Sequence, residues 1–392
     1  MIPMFSFGKR SNKEIGAIFD IGSSSVCSGL VEFEKGQPAN VLFTSREVIE
    51  FRAELDPQSF FKDMLIALER AHLAMTKKAI PIEHVTYVFS SPWSASQTRV
   101  VTIQKPEPFV LTKAMVDKVI EEEARIFEAS ALGGLQEGIS DKLSTIEKRI
   151  VSISLNGYDI AEPYGKKTRS AEVSFFTTIV PKIVLDKVLD ISVQTYHQKD
   201  THSYSFPLVA FSIVRDLYHD VHDFIFLNIS GEVCDVSIIK KGLITESASF
   251  PLGSHFLVRN ISKSFNCSPV AAESMLKMHL DGHSDDFTKE KLEPIVAALS
   301  KEWVTMLHNL VFKLSDTVSL PQDLFMTSDS SLIKFFNLAI KAEDVMRPGV
   351  DSTPFTVTTL GVDTFKKIAV FSPEARNDAS IALITAFLNS RM

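Results

Sequence analysis

The sequence predicts an α/β protein of two lobes that share one repeated plan, with a smaller α+β block inserted in the first. Three observations carry this. Phe19-Asp20-Ile21-Gly22-Ser23-Ser24-Ser25-Val26 follows the apolar run 15–18 and reads strand, acid, glycine turn, hydroxyl cluster, strand. A second run, 223–239, repeats that layout, with Asn228, Ile229, Ser230, Gly231, Glu232, Val233, Cys234 and Asp235 around its turn. Between them, residues 84–180 change to a strand-strand-helix-strand-strand pattern. Two similar hairpins far apart in one chain indicate a duplicated unit.

The elements follow in order. After the first hairpin, Glu34-Lys35-Gly36 turns into a third strand at 40–45. Phe60, Phe61, Met64, Leu65, Leu68 and Leu73 recur near helical spacing and predict a helix over 57–77. In the inserted block, 85–89 and 98–103 read as strands and 112–127 as an amphipathic helix with Thr112 as N-cap. The polar, glycine-containing stretch 129–147 reads as a mobile loop, and 148–155 and 169–180 as strands. Helices are expected at 182–193 and 206–217. The second hairpin then continues through Lys240-Lys241-Gly242 into a strand at 243–250. Helices follow at 254–265, 269–279 and 289–318, the last with one break. A strand at 324–327, a helix at 331–342, a strand at 355–360 and a closing helix at 373–389 complete the chain. That closing helix is apolar on several sides, which suits packing under a sheet.

Composition narrows the function. The net charge is −7, with 41 basic against 48 acidic residues, which argues against nucleic-acid binding. Cys27, Cys234 and Cys267 stand far apart without a CxxC pair, so a zinc-thiolate site is not expected and a reducing compartment is. No apolar run reaches the roughly 20 residues of a membrane span. Residues 1–10 are apolar first and basic second, the reverse of a secretory signal. They read as a frayed terminus, with a weak membrane or partner anchor as the sharper alternative. His219 and His222, beside Asp220 and Asp223, read as a polar turn, and the ten histidines show no metal-ligand spacing in the sequence.

Four blocks carry a family resemblance. Asp20-Ile21-Gly22-Ser23-Ser24-Ser25 resembles a first phosphate loop. Residues 156–178, from Asn156-Gly157 through Pro163-Tyr164-Gly165 to Thr177-Thr178, resemble a distinctive insert domain. Residues 228–239 followed by Phe250-Pro251-Leu252-Gly253 resemble a second phosphate loop and its trailing strand. Leu324-Phe325-Met326-Thr327-Ser328-Asp329-Ser330-Ser331-Leu332 resembles an adenosine loop. Together they resemble the actin-like ATPase superfamily over nearly the whole chain, most of all FtsA of bacterial cell division and next PilM of type IV pilus assembly. The resemblance implies an actin-like (ribonuclease H-like) duplicated two-lobed fold with an FtsA-type α+β insert in the first lobe. It divides the chain into a first-lobe core at 14–83, an insert at 84–180, a return to the first lobe at 181–222, a second lobe at 223–360 with a helical subdomain near 254–320, and a first-lobe closing segment at 361–392. Each lobe is expected to hold a five-stranded mixed sheet.

The resemblance also implies a site in the cleft. Asp20, Gly22, Ser23, Ser24, Ser25, Asn228, Ser230, Gly231, Glu232 and Val233 would meet the phosphates of ATP. Glu273, Lys277, Thr327, Ser328, Asp329 and Ser330 would meet adenosine, and Asp20 and Asp235 would face Mg²⁺. Several positions depart from the family pattern. Asn228 replaces an acid, Ser230 and Glu232 replace glycines, Val233 replaces a threonine, and Ser328-Asp329-Ser330 stands where the adenosine loop usually runs Gly-Gly-Gly. Losing the carboxylate at 228 weakens Mg²⁺ coordination. Glu232 brings negative charge toward phosphates unless it turns away. The expected protein is therefore at most a slow ATPase.

The leading expectation is a cytoplasmic FtsA-like division scaffold, at the inner face of the membrane, that binds ATP weakly or acts as a pseudo-ATPase. It would work by self-association and protein partners, including an FtsZ-like filament. The alternative is a PilM-like component with pilus-assembly partners. An active sugar-kinase-type phosphotransferase ranks last, because no positioned general base is visible. FtsA proteins usually end in a linker and an amphipathic membrane helix, whereas this sequence stops just after its closing helix. Membrane contact is accordingly expected to be peripheral and indirect at most, through a partner or residues 1–10.

Overall fold

A computed structural model of the chain describes residues 13–131, 142–197, 200–314, 320–328, 331–342 and 354–391. The first lobe opens with the meander β1 (Lys13–Ile21), β2 (Ser25–Glu34) and β3 (Ala39–Val48), then α1 (Pro57–Thr76) and β4 (His84–Phe89). The insert holds β5 (Ala95–Val110), α2 (Lys113–Ala131), β6 (Leu143–Leu155), β7 (Tyr158–Asp159) and β8 (Lys167–Pro181). The chain returns through α3 (Lys182–Tyr196), β9 (Thr201–Ser205) and α4 (Phe206–Leu217). The second lobe is β10 (Phe224–Ile229), β11 (Cys234–Lys240), β12 (Leu243–Phe250), α5 (Ser254–Phe265), α6 (Pro269–Leu280), α7 (Asp286–Leu314), β13 (Asp323–Ser328), α8 (Ile333–Ala342) and β14 (Thr356–Thr359). The closing segment is α9 (Val362–Phe365), β15 (Ala369–Phe371) and α10 (Ala379–Asn389).

The strands form sheets of order β15-β3-β2-β1-β4-β9, β12-β11-β10-β13-β14 and β5-β8-β6-β7. The duplication is explicit in the pairing. β1 runs antiparallel to β2 and parallel to β4, while β10 runs antiparallel to β11 and parallel to β13. Asp20 lies opposite Cys27 in the first hairpin, and Asn228 opposite Asp235 in the second.

The structure moves four expectations. β4, assigned by sequence to the insert, pairs with β1, and the insert's own sheet starts at Ala95. Residues 85–89 are all buried, as a central parallel strand requires. The first lobe has six strands rather than five, because the short β9 and β15 close its two edges. The expected break in the long helix is absent: α7 runs on through Pro294 and starts at Asp286. Of the loop expected at 129–147, α2 takes the first residues and β6 the last, while 132–141 lie outside the described residues. Residues 1–12 lie outside them too.

Local chemistry sets several element ends. Asp56 caps α1, accepting the Ser59 N–H at 2.8 Å, and Pro57 follows at the first helical position. Thr112 caps α2 through the Met115 N–H at 3.3 Å, as expected. Asp378 caps α10 through the Ile381 N–H at 3.1 Å, so that helix begins later than its apolar pattern suggests. α10 is buried from Ser380 to Phe387 and packs on α4 and on β1, β2 and β3. Ile381, Leu383, Ile384 and Phe387 are each worth about 1.5–3 kcal/mol of apolar burial. Gly29 of β2 makes room for this helix, since a Cβ there would come within 2.7 Å of Ile381.

The insert is tied to both lobes. Thr98 Oγ1 donates to the Ile244 carbonyl of β12 at 2.7 Å. At its joint with the first lobe, the Glu147 carboxyl accepts from Thr178 Oγ1 at 2.9 Å and Ser205 Oγ at 2.5 Å. Burial pushes the pKa of this group up to about 7 against those hydrogen bonds.

Candidate functional site

The cleft is where the two hairpin turns meet. Each turn spans four residues with one closing bond: Gly22 N–H to the Ser25 carbonyl at 3.1 Å, and Ser230 N–H to the Val233 carbonyl at 3.0 Å. The turns then bond to each other. Ser23 N–H donates to Ser230 Oγ at 3.1 Å, and Glu232 N–H donates to Ser23 Oγ at 2.9 Å. A Cβ on Gly231 would come within 2.6 Å of Ser24 Cβ and 2.9 Å of the His255 ring. Gly231 thus serves the contact between the turns.

The start of α5 is committed as well. Gly253 N–H donates to the Glu232 carbonyl, Ser254 N–H to Ser230, and His255 N–H to Gly231, at 3.2, 2.9 and 2.7 Å. A helix N-terminus and a glycine turn are natural anion cradles because their N–H groups are unspent. Here the amides of Ser23, Glu232, Gly253, Ser254 and His255 are spent on protein oxygens.

Glu232 turns away from the first lobe's turn into α5. Its Oε1 accepts from His255 Nδ1 at 2.7 Å and from Arg259 at 2.6 Å. Burial pushes its pKa up, but these two partners outweigh burial and hold it below the ordinary carboxylate value. Arg259 also donates to the Arg52 carbonyl across the cleft at 2.9 Å and sits over the Phe51 ring, which meets the His255 ring edge-on. His255 and Arg259 are one helical turn apart and face the same carboxylate. The sequence reading missed them, although that i,i+4 spacing opposite an unexpected acid was visible.

Several of the other proposed residues fall in two separate cavities. Ser24, Ser25 and Glu273 line one of about 280 Å³, with Arg46, His255 and Ser331. There Arg46 donates to Ser25 Oγ at 2.7 Å and pairs with Asp378 at 2.7 Å, while Ser331 Oγ donates to Glu273 at 2.7 Å. Lys277 is exposed on α6 and does not line this cavity. Asp235 lines a different cavity of about 250 Å³, with Ser91, Ser94, Gln97 and Glu246. It accepts from Asn228 Nδ2 at 3.4 Å, and burial raises its pKa despite bonds from Ser91 and Asn228. Asp20 is buried in β1, Thr327 is buried beside Asn228, and Ser328 ends β13. Asp329 and Ser330 lie outside the described residues.

The family resemblance implies a Mg²⁺–ATP ligand, and these residues do not fit one. The Ser23 and Glu232 amides are bonded across the cleft and those of Gly253, Ser254 and His255 within the second lobe. Gly231 leaves no room for a side chain beside Ser24, Glu232 is held by His255 and Arg259, and Asp235 opens on a cavity apart from Ser24, Ser25 and Glu273.

No family model matches this sequence, and no curated protein does. Solved structures do. The chain is similar to a chain of the PilM–PilN type IV pilus biogenesis complex, at 12% identity and a TM-score of 0.60 over 96% of this chain and 98% of that one. It is also similar to a Bacteroides thetaiotaomicron protein with an actin-like ATPase fold, at 9% identity and a TM-score of 0.44 over 98% and 99% of the two chains. A third is the ethanolamine utilization protein EutJ from Carboxydothermus hydrogenoformans, at 10% and 0.42 over 96% and 89%. The chain has the actin-like ATPase fold. Among the described residues no helix is long and apolar enough to cross a membrane.

Proposed function

We propose that this protein is an actin-fold scaffold that works through protein partners and self-association rather than ATP turnover, as a cytoplasmic component of a PilM-type pilus assembly system. The observation that carries the non-catalytic half is the bonding of the two turns through Ser23, Ser230 and Glu232. A cleft whose two turns are bonded to each other through Ser23 and Glu232 must break those bonds to take ATP, which costs affinity. Support for the pilus half is the likeness in fold to the PilM–PilN complex across nearly the full length of both chains. A division scaffold of the FtsA kind is the second reading, supported by the insert block 156–178.

Calorimetric titration with Mg²⁺–ATP tests the first half. The expected result is no binding tighter than about 1 mM. Micromolar binding with turnover refutes the pseudo-ATPase reading. Deleting the gene tests the second half. Loss of surface pili with normal cell length supports the pilus reading, and filamentous cells support division instead.

A further inference from the structure

We propose that His84, Asp200 and His202, oriented by Glu14, form a binding site for a divalent transition-metal ion of the zinc class. The site lies at one edge of the first lobe's sheet. Candidate ligand atoms of the three residues all lie within 4.8 Å of one another. They come from separate parts of the chain, brought together by strand pairing. His84 opens β4, and Asp200 and His202 flank the start of β9. Val85 N–H donates to the Asp200 carbonyl at 3.2 Å, and Thr86 lies opposite His202 in the parallel register, which fixes the three relative to one another.

The distances suit a metal. His84 Nδ1 lies 2.9 Å from Asp200 Oδ2, and His202 Nε2 lies 3.4 Å from Asp200 Oδ1. One carboxylate therefore has an imidazole nitrogen beside each oxygen. In a tetrahedral site with bonds near 2.1 Å, neighbouring ligand atoms sit roughly 3.4 Å apart. The second ring nitrogen of His84 lies 3.4 Å from Glu14 Oε2. That places a carboxylate behind a coordinating imidazole, the usual outer partner that sets its tautomer and basicity. Two neutral imidazoles and a carboxylate favour zinc-class ions, whereas Mg²⁺ prefers all-oxygen sites.

The site also has space for a fourth ligand. Glu14, His84 and His202 line the same groove of about 210 Å³, together with Gly16, Phe33 and Tyr204. All four polar residues are partly exposed, so an ion can enter without local unfolding. An open coordination position on an apolar groove suits water or a partner's side chain.

The test uses untagged full-length protein carrying Cys267→Ser, since Cys267 is the one cysteine that is not buried. Competition with a chromogenic chelator should show one equivalent of Zn²⁺ bound at micromolar affinity and undisturbed by millimolar Mg²⁺. His202→Gln and Asp200→Asn should each weaken it about 100-fold, and Glu14→Gln about tenfold. A readout free of variants is acylation by diethyl pyrocarbonate: Zn²⁺ should protect His84 and His202 but not the exposed His283. Absence of a stoichiometric site, variants that bind as the parent does, or equal acylation with and without Zn²⁺ would each overturn the proposal.

Discussion

The turn from β1 to β2 and the turn from β10 to β11 close with the same bond, at 3.1 and 3.0 Å, and join strands in the same register. Their side chains differ. The first offers hydroxyls and keeps its acid, Asp20, on the entering strand. The second carries Glu232 at its third position and its acid, Asp235, on the leaving strand. Duplication preserved the backbone while the chemistry diverged, and the diverged turn now holds its partner. Ser230 Oγ accepts the Ser23 N–H, and Glu232 gives its own N–H to Ser23 Oγ, so these two amides are bonded within the protein where a symmetric pair of cradles would have left them for a ligand.

The contrast can be broken most forcefully at Gly253. A Cβ there would stand 2.4 Å from the Ser230 and Gly231 carbonyl oxygens, and backbone cannot yield as a side chain can. Gly253→Ala should cost about 3 kcal/mol or more in urea unfolding. A neutral result would mean that the loops do not pack as described. Glu147 provides a comparison outside both turns. Its folded pKa, about 7, exceeds the ordinary carboxyl value of 4.5. The folded state therefore binds the proton more tightly, and stability should fall as pH rises from about 4.5 to about 7. Glu147→Gln should remove that slope and gain about 3 kcal/mol at pH 8. Parallel pH profiles for parent and variant would contradict it.

Arg259→Ala leaves Glu232 buried with one partner and should cost about 2 kcal/mol, read by thermal or urea melting. Glu232 has the opposite sign to Glu147. Its folded pKa is lowered, so its contribution is present above the ordinary carboxyl range and lost as pH falls through the lowered value. Arg259→Ala should shrink that acid limb, and an unchanged limb would assign it elsewhere. Ser23→Ala is the mildest probe. It removes the acceptor for the Glu232 N–H and should cost about 1 kcal/mol. If it also brings ATP affinity into the micromolar range, the Ser23 contact was what excluded the nucleotide.

Much of the fold was readable from the sequence. β12 and α5 fall at their expected residues because each begins and ends at clear turn chemistry, such as Lys241-Gly242 and Gly253. β9 and β15 were not readable, since Thr201-His-Ser-Tyr-Ser is polar and 369–371 is too short for a pattern. β4 was placed in the wrong sheet because periodicity reports a buried strand but not its neighbour. In the site, the turn backbones were legible from their glycines and serines. The bonds between turns were not, for they depend on how two distant segments dock. The histidines at 84 and 202 gave no spacing signal, as only the parallel pairing of β4 with β9 brings them together.

α10 has a consequence for how the protein is made. Cys27 donates to Asp378 at 3.3 Å across 351 residues of chain, and Ile381 fills the hollow over Gly29. A ribosome delivers β1, β2 and β3 more than 300 residues before the helix that covers them. Throughout synthesis one face of that meander waits for its cover, with only later, unrelated segments on offer. Contacts of such long sequence separation slow folding and leave apolar sheet exposed meanwhile. That face of the meander stays without its native cover until α10 emerges.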